Sequence, residues 1–300
     1  VVAPATMNFI GKVANGIADD CATTVVLTAI GSKKPTIFIP AMHISMWNSK
    51  ITKRNIKVLE DVGVLFLNPK IDENKAKFPD SEYIVESIVR SFRKGELNGK
   101  KVLVTAGSTR EWIDDVRFIS NPSSGKMGIE LAKEFYSRGA DVKLVCCSCM
   151  APFWIEQIRC DERESMFKAV SEELKKGYDI FVCASAISDF MVKRVKGKLS
   201  SSMKHTIEMR PAEKLIEIVR ENFPDIFLVA FKADIENIVE KGKKLLKVSD
   251  IVFANPLSSF SSDYSEGFLI TPEYVKEVKK MKKRKVAEII VDEVSRRLCS

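Results

Sequence analysis

Three loops of small hydroxyl residues, glycines and isolated charges hold most of the chemistry that this 300-residue sequence can perform. The first begins Thr105-Ala106-Gly107-Ser108-Thr109-Arg110-Glu111 and continues through Val116–Gly128, which contains Asn121-Pro122-Ser123-Ser124-Gly125-Lys126 and opens a helical pattern. Hydroxyl residues and glycine at a helix N-terminus leave backbone N–H groups free for an anion, although an ordinary capped helix start uses the same residues. The run is not a Walker A loop. The first glycine of G-x-x-x-x-G-K-[ST] would fall at Ser120, and Met127 replaces the hydroxyl residue. No G-x-G-x-x-G occurs either, which counts against a nicotinamide-dependent oxidoreductase. The second loop is Cys183-Ala184-Ser185-Ala186-Ile187-Ser188-Asp189, whose small residues let a ligand approach the backbone and whose carboxylate suits Mg²⁺, a ribose or a base. The third is Gly197-Lys198-Leu199-Ser200. Farther on, Lys243 and Lys247 stand four apart on one helical face.

Other reactive residue types carry blander readings. Cys146-Cys147-Ser148-Cys149 has no second C-x-x-C and no suitably spaced histidine, so the three thiols read as buried small side chains rather than a metal site. Seven cysteines without framework spacing point to a reducing compartment, and no apolar run reaches the roughly 20 residues of a membrane span. A cytoplasmic protein with no membrane partner is expected. The net charge of +8 suits either nucleic acid or phosphorylated small molecules. Lysines are interleaved with acidic residues over most of the chain and no nucleic-acid motif appears, which leaves that alternative the weaker one. The densest basic run, Lys279–Lys285, reads as a solvated approach to an amphipathic helix carrying Val286, Ile289, Ile290 and Val294.

The elements that must position these loops alternate. In residues 1–93, Phe9, Val13 and Ile17 recur at helical spacing and Ala22–Ala29 continues as an apolar helix. Strands are expected at Pro35–Pro40 and Val64–Leu67, and helices at Asn48–Val62 and Ser81–Phe92. Val1-Val2-Ala3-Pro4 reads as the end of a buried strand, which suggests a first unit lacking its beginning. Residues 94–100 read as a linker. From 101 to 300 the series resumes: strands at Val102–Val104, Val142–Val145, Ile180–Ala184, Ile226–Phe231 and Ile251–Ala254. Helices fall at Gly125–Ser137, Arg163–Lys175, Ala212–Asn222 and Ile235–Leu246, and Thr105-Ala106-Gly107 reads as a turn. Such alternation specifies a Rossmann-like, doubly wound parallel α/β sheet, which binds ligands beyond the carboxyl ends of its strands.

The strings TAGSTREWID and VRFISNPSSGKMG resemble the phosphopantothenate–cysteine ligase domain of the bifunctional coenzyme A biosynthesis (Dfp) family, over nearly all of 99–300. The resemblance implies that Asn121 sits against the activated carboxyl group of the substrate and stabilises charge at the acyl carbon. It places Cys183, Ala184, Ser185 and Asp189 in the nucleotide site, Asp189 also as a Mg²⁺ contact. Lys198 inherits the role of steadying the triphosphate, although only the first lysine of the family's Lys-Ile-Lys-Lys is kept. Pro211, Ala212, Glu213 and Lys214 stand at the family's Asn-Pro-Asp-Ile, with the proline at a helix start. Phe231 ends its strand beside the nucleotide, and Lys243 and Lys247 reach its phosphates. The implied substrates are 4′-phosphopantothenate, cysteine and CTP, with ATP in some relatives.

Residues 1–93 resemble the family's flavin-dependent decarboxylase, a flavodoxin-like α/β domain that uses FMN. Pro4-Ala5-Thr6-Met7-Asn8 matches a string whose asparagine binds a carboxylate, and Pro40–Trp47 matches P-x-M-N-x-x-M-W with Met42 kept and His43 in place of the asparagine. The family's cysteine-bearing flap would fall at 68–80, where no cysteine occurs, so decarboxylation is not expected of this chain. Family ligase domains form homodimers and decarboxylase domains form trimers, which implies a higher homo-oligomer for the fused protein.

Overall fold

Side chains of a strand alternate between its two faces, and the central strand of the large sheet shows why both are covered. In Lys101–Gly107, Val102, Val104 and Ala106 enter one apolar cluster and Leu103 enters the other, all fully buried. A strand buried on both faces reads as an unbroken apolar run, and each such side chain contributes about 1.5–3 kcal/mol. The computed structural model describes residues 1–93 and 95–298, so Lys94, the first residue of the expected linker, and residues 299–300 lie outside the described residues. The chain divides into two units, Val1–Lys94 and Gly95–Ser300. The remainder of the expected linker belongs to the second unit, where Leu97 is fully buried and its N–H donates to the Arg138 carbonyl.

The first unit holds a parallel three-stranded sheet of Val2–Ala5, Thr36–Pro40 and Val64–Phe66, the Thr36 strand in the middle. Helices Met7–Ala14, Cys21–Gly31, Lys50–Asp61 and Ser81–Phe92 accompany it. Two expectations are corrected here. The helix at Met7 stops at Ala14, leaving Ile17 exposed, and the opening strand is buried only at Ala5. Met42–His43, Lys70–Asp72 and Lys75–Lys77 form a separate antiparallel sheet, so the region expected to carry a flap is a hairpin, turned at Glu73 and Asn74 with positive φ.

The second unit is an eight-stranded sheet in the spatial order Glu156–Cys160, Asp141–Cys147, Lys101–Gly107, Ile180–Cys183, Phe227–Asp234, Ile251–Pro256, Tyr264–Ile270 and Val275–Lys282. The first six are parallel and the last two antiparallel. In chain order the parallel part runs 3-2-1-4-5-6, the doubly wound order whose switch point lies between the Lys101 and Ile180 strands. Helices Lys126–Ser137 and Lys283–Leu298 pack on one face, and Arg163–Leu174, Leu215–Asn222 and Ile238–Leu245 on the other. A buried charge network joins the first pair. Fully buried Glu134 accepts from Arg138 at 2.7 Å and pairs with Arg284 at 3.1 Å, while Arg138 also reaches Asp292 at 2.5 Å. The network fixes these two helices against each other, and with them their first residues, Lys126 and Lys283.

Several boundaries differ from the sequence reading, each for a local reason. Thr105-Ala106-Gly107 continues its strand because Thr105 still pairs with Val145 and Cys183, and Gly107 with Cys147. The Phe227 strand runs on to Asp234, carrying Phe231 into mid-strand and delaying the next helix to Ile238. Pro211 closes the short strand Met209–Pro211, and its helix begins only at Leu215. The basic run splits between the Val275–Lys282 strand and the following helix, and Lys283 within it is buried rather than solvated. Cys146 and Cys147 are buried, as expected, and Cys146 pairs with Cys149 and Cys147 with Cys160, pairings that the sequence reading did not include. The parallel register sets Cys147 directly opposite Cys160, a neighbour that the linear spacing concealed.

Candidate functional site

The loops that leave the carboxyl ends of the Lys101 and Ile180 strands are tied together before any ligand is considered. Ser185 donates its hydroxyl to Thr105 Oγ1 at 2.9 Å, Ala186 N–H donates to the Gly107 carbonyl at 2.8 Å, and Ser188 N–H donates to Thr109 Oγ1 at 3.0 Å. Asn121 closes the arrangement. Its side-chain amide donates to the carbonyls of Ala186 and Ile187, each at 3.3 Å. Gly125, the residue that opens the Lys126 helix, has φ of 73°, a left-handed conformation that glycine adopts without strain. No side chain caps that helix.

These loops border a cavity of about 580 Å³ along the carboxyl edge of the sheet. Asn121, Cys183, Ala184, Ser185, Asp189, Glu213, Lys214 and Phe231 all line it, so the structure brings together residues far apart in the chain. Phe231 packs against Phe253 with ring centroids 5.7 Å apart. Lys198, Pro211, Ala212, Lys243 and Lys247 lie outside the cavity wall. Lys243 turns instead to Glu240 at 3.3 Å, and the helix presents Lys241 and Lys244 to the cavity.

The charged groups in the wall differ in state. Asp234 accepts from Lys241 at 2.6 Å and lies 3.4 Å from Lys232, and the Lys241 and Ile235 hydrogen bonds hold its carboxyl down at about 2. Burial pushes the Cys183 thiol up to about 11, which makes it a neutral wall residue and not a nucleophile. Lys126 pairs with Asp263 at 2.5 Å, and that hydrogen bond holds the Asp263 carboxyl below its ordinary value. Ser261 donates to the Pro122 carbonyl at 2.9 Å, so the 257–263 segment docks on the loop that carries Asn121. Lysines 241, 244 and 283, with Asp234, are wall residues that sequence reasoning missed, whereas Lys126 belongs to the helix-opening string and Asn255 to the last loop that the family resemblance folds over the site. The helical period shows only that Lys241 and Lys244 share a face, not what that face meets.

The exposed loop bearing Lys198 is held from below. Fully buried Asp114 accepts from Val116, Arg117 and Leu199 N–H groups at 2.8, 2.7 and 3.1 Å, and Asp115 accepts from Gly197 N–H at 2.7 Å. Burial alone would raise the Asp114 carboxyl, but the three backbone donors outweigh it and the net shift is downward. Among the described residues, no cluster of three or more His, Cys, Asp or Glu side chains forms a metal cage. In the first unit, exposed Asn8 and His43 follow the carboxyl ends of adjacent parallel strands, Ala5 standing opposite Pro40. His43 Nδ1 accepts from Ser45 N–H at 3.3 Å and caps the short helix Ile44–Trp47, and Met42 is half-buried beside it.

Comparison with known proteins follows the same division. Residues 97–298 match the family described as DNA/pantothenate metabolism flavoprotein C-terminal domain, and residues 1–93 match the flavoprotein family. The chain is 41% identical over 307 aligned residues to the coenzyme A biosynthesis bifunctional protein CoaBC of Thermococcus kodakarensis, covering 99% of this chain and 76% of that one. The protein of the same name from Methanocaldococcus jannaschii is 34% identical, covering 99% and 75%. A crystal structure of the C-terminal domain of a coenzyme A biosynthesis bifunctional protein CoaBC superposes with a TM-score of 0.59 at 27% identity, covering 68% of this chain and 98% of that chain.

Proposed function

Because the chain belongs to the family of coenzyme A biosynthesis bifunctional proteins, we propose that residues 95–298 join 4′-phosphopantothenate to cysteine through an acyl nucleotide, with CTP as the nucleotide. The observation that carries this reading is Asn121: a side-chain amide fixed at the junction of two strand-end loops, on the wall of a cavity large enough for a nucleotide and an acid together. The phosphopantothenate carboxylate attacks the α-phosphorus of the nucleotide, forming an acyl–phosphate bond as pyrophosphate leaves. The cysteine amine then attacks the acyl carbon, and the nucleoside monophosphate leaves with the bonding electrons while the amine proton passes to solvent. Asn121 donates to the oxygen on which charge develops. Lys241 and Lys244 in the wall, with Lys198, Lys243 and Lys247 nearer solvent, offset the phosphate charge. The Cys183–Asp189 loop and Phe231 contact the base and ribose, with Glu213 and Lys214 facing them and Pro211 and Ala212 behind.

A magnesium–nucleotide complex needs only one or two protein carboxylates, and Asp189 fits that part, whereas Asp234 is committed to lysines. Mg²⁺ held there would neutralise triphosphate charge. Exposed Phe118, Phe190, Met191 and Met209 on two short ribbons, Arg110–Trp112 with Phe118–Ser120 and Phe190–Val192 with Met209–Pro211, support a homodimer. In the first unit, Asn8, Met42 and His43 would line one side of an FMN or substrate site. The reading is of a cytoplasmic enzyme acting on small molecules; separately, no helix among the described residues is long and apolar enough to cross a membrane.

The test is pyrophosphate release from CTP, and in parallel from ATP, with and without phosphopantothenate and cysteine. Release that requires phosphopantothenate but not cysteine supports the acyl nucleotide. Release that needs neither, or none with either nucleotide from folded protein, refutes it.

A further inference from the structure

Two disulfides lie at the end of the Asp141–Cys147 strand, one on each face of the sheet. Cys147 bonds to Cys160 on the face covered by the Arg163 helix, and Cys146 to Cys149 on the face covered by the Lys126 helix. They restrain different things. Cys147 and Cys160 stand opposite each other in a parallel ladder that already holds their strands together. Cys146 and Cys149 close the turn by which the chain leaves the strand. Ser148 within it has φ of 53°, a left-handed conformation that serine adopts reluctantly.

That turn backs the wall of the cavity. A Cβ added to Gly125 would lie 2.7 Å from Cys149 Cβ and 3.1 Å from its sulfur, and one added to Gly107 would lie 3.3 Å from the same sulfur. Cys149 thus fills the space that both glycines leave open, directly against the residue that opens the Lys126 helix. Ser123, Ser124, Gly125 and Lys126 line the cavity, and the uncapped backbone N–H groups of that helix start favour an anion. Cys146 is fixed within the strand and 2% exposed, whereas Cys149 is half-buried and followed by Met150, which is 86% exposed. Reduction replaces a bond with a non-bonded contact, so the two sulfurs must part, and Cys149 is the one with room to move. Its departure removes the contact behind Gly125.

We propose that Cys146–Cys149 is a thiol–disulfide switch that sets the grip of the cavity on its anionic ligand, tight when oxidised and loose when reduced. This rests on the ligase reading above, in which that ligand is the nucleotide triphosphate, and adds regulation to it. A thiolate of an external dithiol attacks the sulfur of Cys149, the more accessible one, and Cys146 leaves as a thiolate that takes up a proton. The second thiol of the reductant then attacks its own sulfur in the mixed disulfide and expels Cys149, which is protonated in turn. The protein gains two electrons and two protons, and the dithiol becomes a disulfide. In the reducing compartment expected for this chain, a disulfide that external thiols reach is reversible.

The experiment equilibrates the full chain in dithiol–disulfide buffers of graded potential and follows binding of CTP and of inorganic tripolyphosphate by calorimetric titration. Alkylation and peptide mapping of the same samples report which pair is bonded. Kd for both probes should rise about ten-fold as Cys146–Cys149 is reduced, because a small displacement of positioned groups is costly. Cys149→Ser should bind weakly at every potential, and Cys160→Ser should keep the full response. Affinity that stays within two-fold of the oxidised value after mapped reduction of Cys146–Cys149 overturns the switch, as does a response that follows Cys147–Cys160 instead. Thiols at 146 and 149 that stay unpaired across the whole series overturn it too. The wild-type titration carries the result even where Cys149→Ser fails to fold. Pyrophosphate release separates the two readings. CTP that binds according to redox state but is never cleaved removes the ligase reading and keeps the switch. Equal cleavage in both states at subsaturating CTP keeps the ligase reading and overturns the switch.

Discussion

The side-chain amide of Asn121 donates to the Ile187 carbonyl at 3.3 Å, and to Ala186 at the same distance, so the residue is oriented by the loop it faces. The amide has two N–H groups, so one must be shared by both carbonyls for the other to meet charge that develops nearby, and a donor held in this way needs little reorganisation. In Asn121→Asp the donor is replaced by a carboxylate set against two carbonyl oxygens. Pyrophosphate release should persist, while amide formation falls by about 10²–10³-fold, the usual loss of one such donor. Quenched reactions analysed by mass spectrometry should show the acyl nucleotide accumulating. An equal fall in both half-reactions would count against a role confined to the second.

Lys241 and Lys243 separate the cavity's demands from those of the linear motif. Lys241 lines the wall and pairs with Asp234, whereas Lys243 turns to Glu240. Lys241→Gln should therefore raise KM for the nucleotide several-fold more than Lys243→Gln. The reverse order, measured side by side, would show that the helix presents its other face when nucleotide binds.

Asp114 makes the Lys198 loop sensitive to acid. Its folded pKa lies below the ordinary aspartate value, near 3.9 in an unfolded chain. A depressed carboxylate contributes stability that is fully present above the unfolded pKa and is lost as pH falls through the folded one. Asp114→Asn should lower the urea midpoint at pH 7 and narrow the difference between pH 7 and pH 3. If the variant loses as much on acidification as wild type does, other carboxylates govern the transition.

Cys183 and Cys21 differ in environment, not in kind. Cys21 is exposed, whereas burial raises the Cys183 thiol to about 11. At pH 8 iodoacetamide should modify Cys21 and leave Cys183 untouched until the chain unfolds, as peptide mapping would reveal. Rapid labelling of native Cys183 would contradict the wall described for it.

The central strands were legible because both their faces are buried: Val102-Leu103-Val104 and Ile180-Phe181-Val182 are unbroken apolar runs. The strand Val275–Lys282 was not, since only Val278 in it is buried and its lysines imitate a solvated helix approach. Asn121, Asp189 and Phe231 could be named from motif resemblance. Lys241 and Lys283 could not, because the facing of a helix is settled by the strands beneath it, and the cavity that Lys283 lines is assembled from segments far apart in the chain.

Gly128 lies where the Lys126–Ser137 helix packs tightly on the Lys101–Gly107 strand. A Cβ there would lie 2.7 Å from Ala106 Cβ and 2.9 Å from the Thr105 carbonyl oxygen, both fixed by the central strand. Gly128→Ala must therefore push the Lys126–Ser137 helix away from the sheet, even though alanine is the better helix former. Overpacking of this kind costs about 1–3 kcal/mol, and the shift also moves Gly125 and Lys126 at the cavity wall. A lower melting temperature together with a raised KM for at least one substrate is the expected pair of results. A stabilised variant would mean that the helix can slide without cost, and the close approach would then have no part in positioning the site.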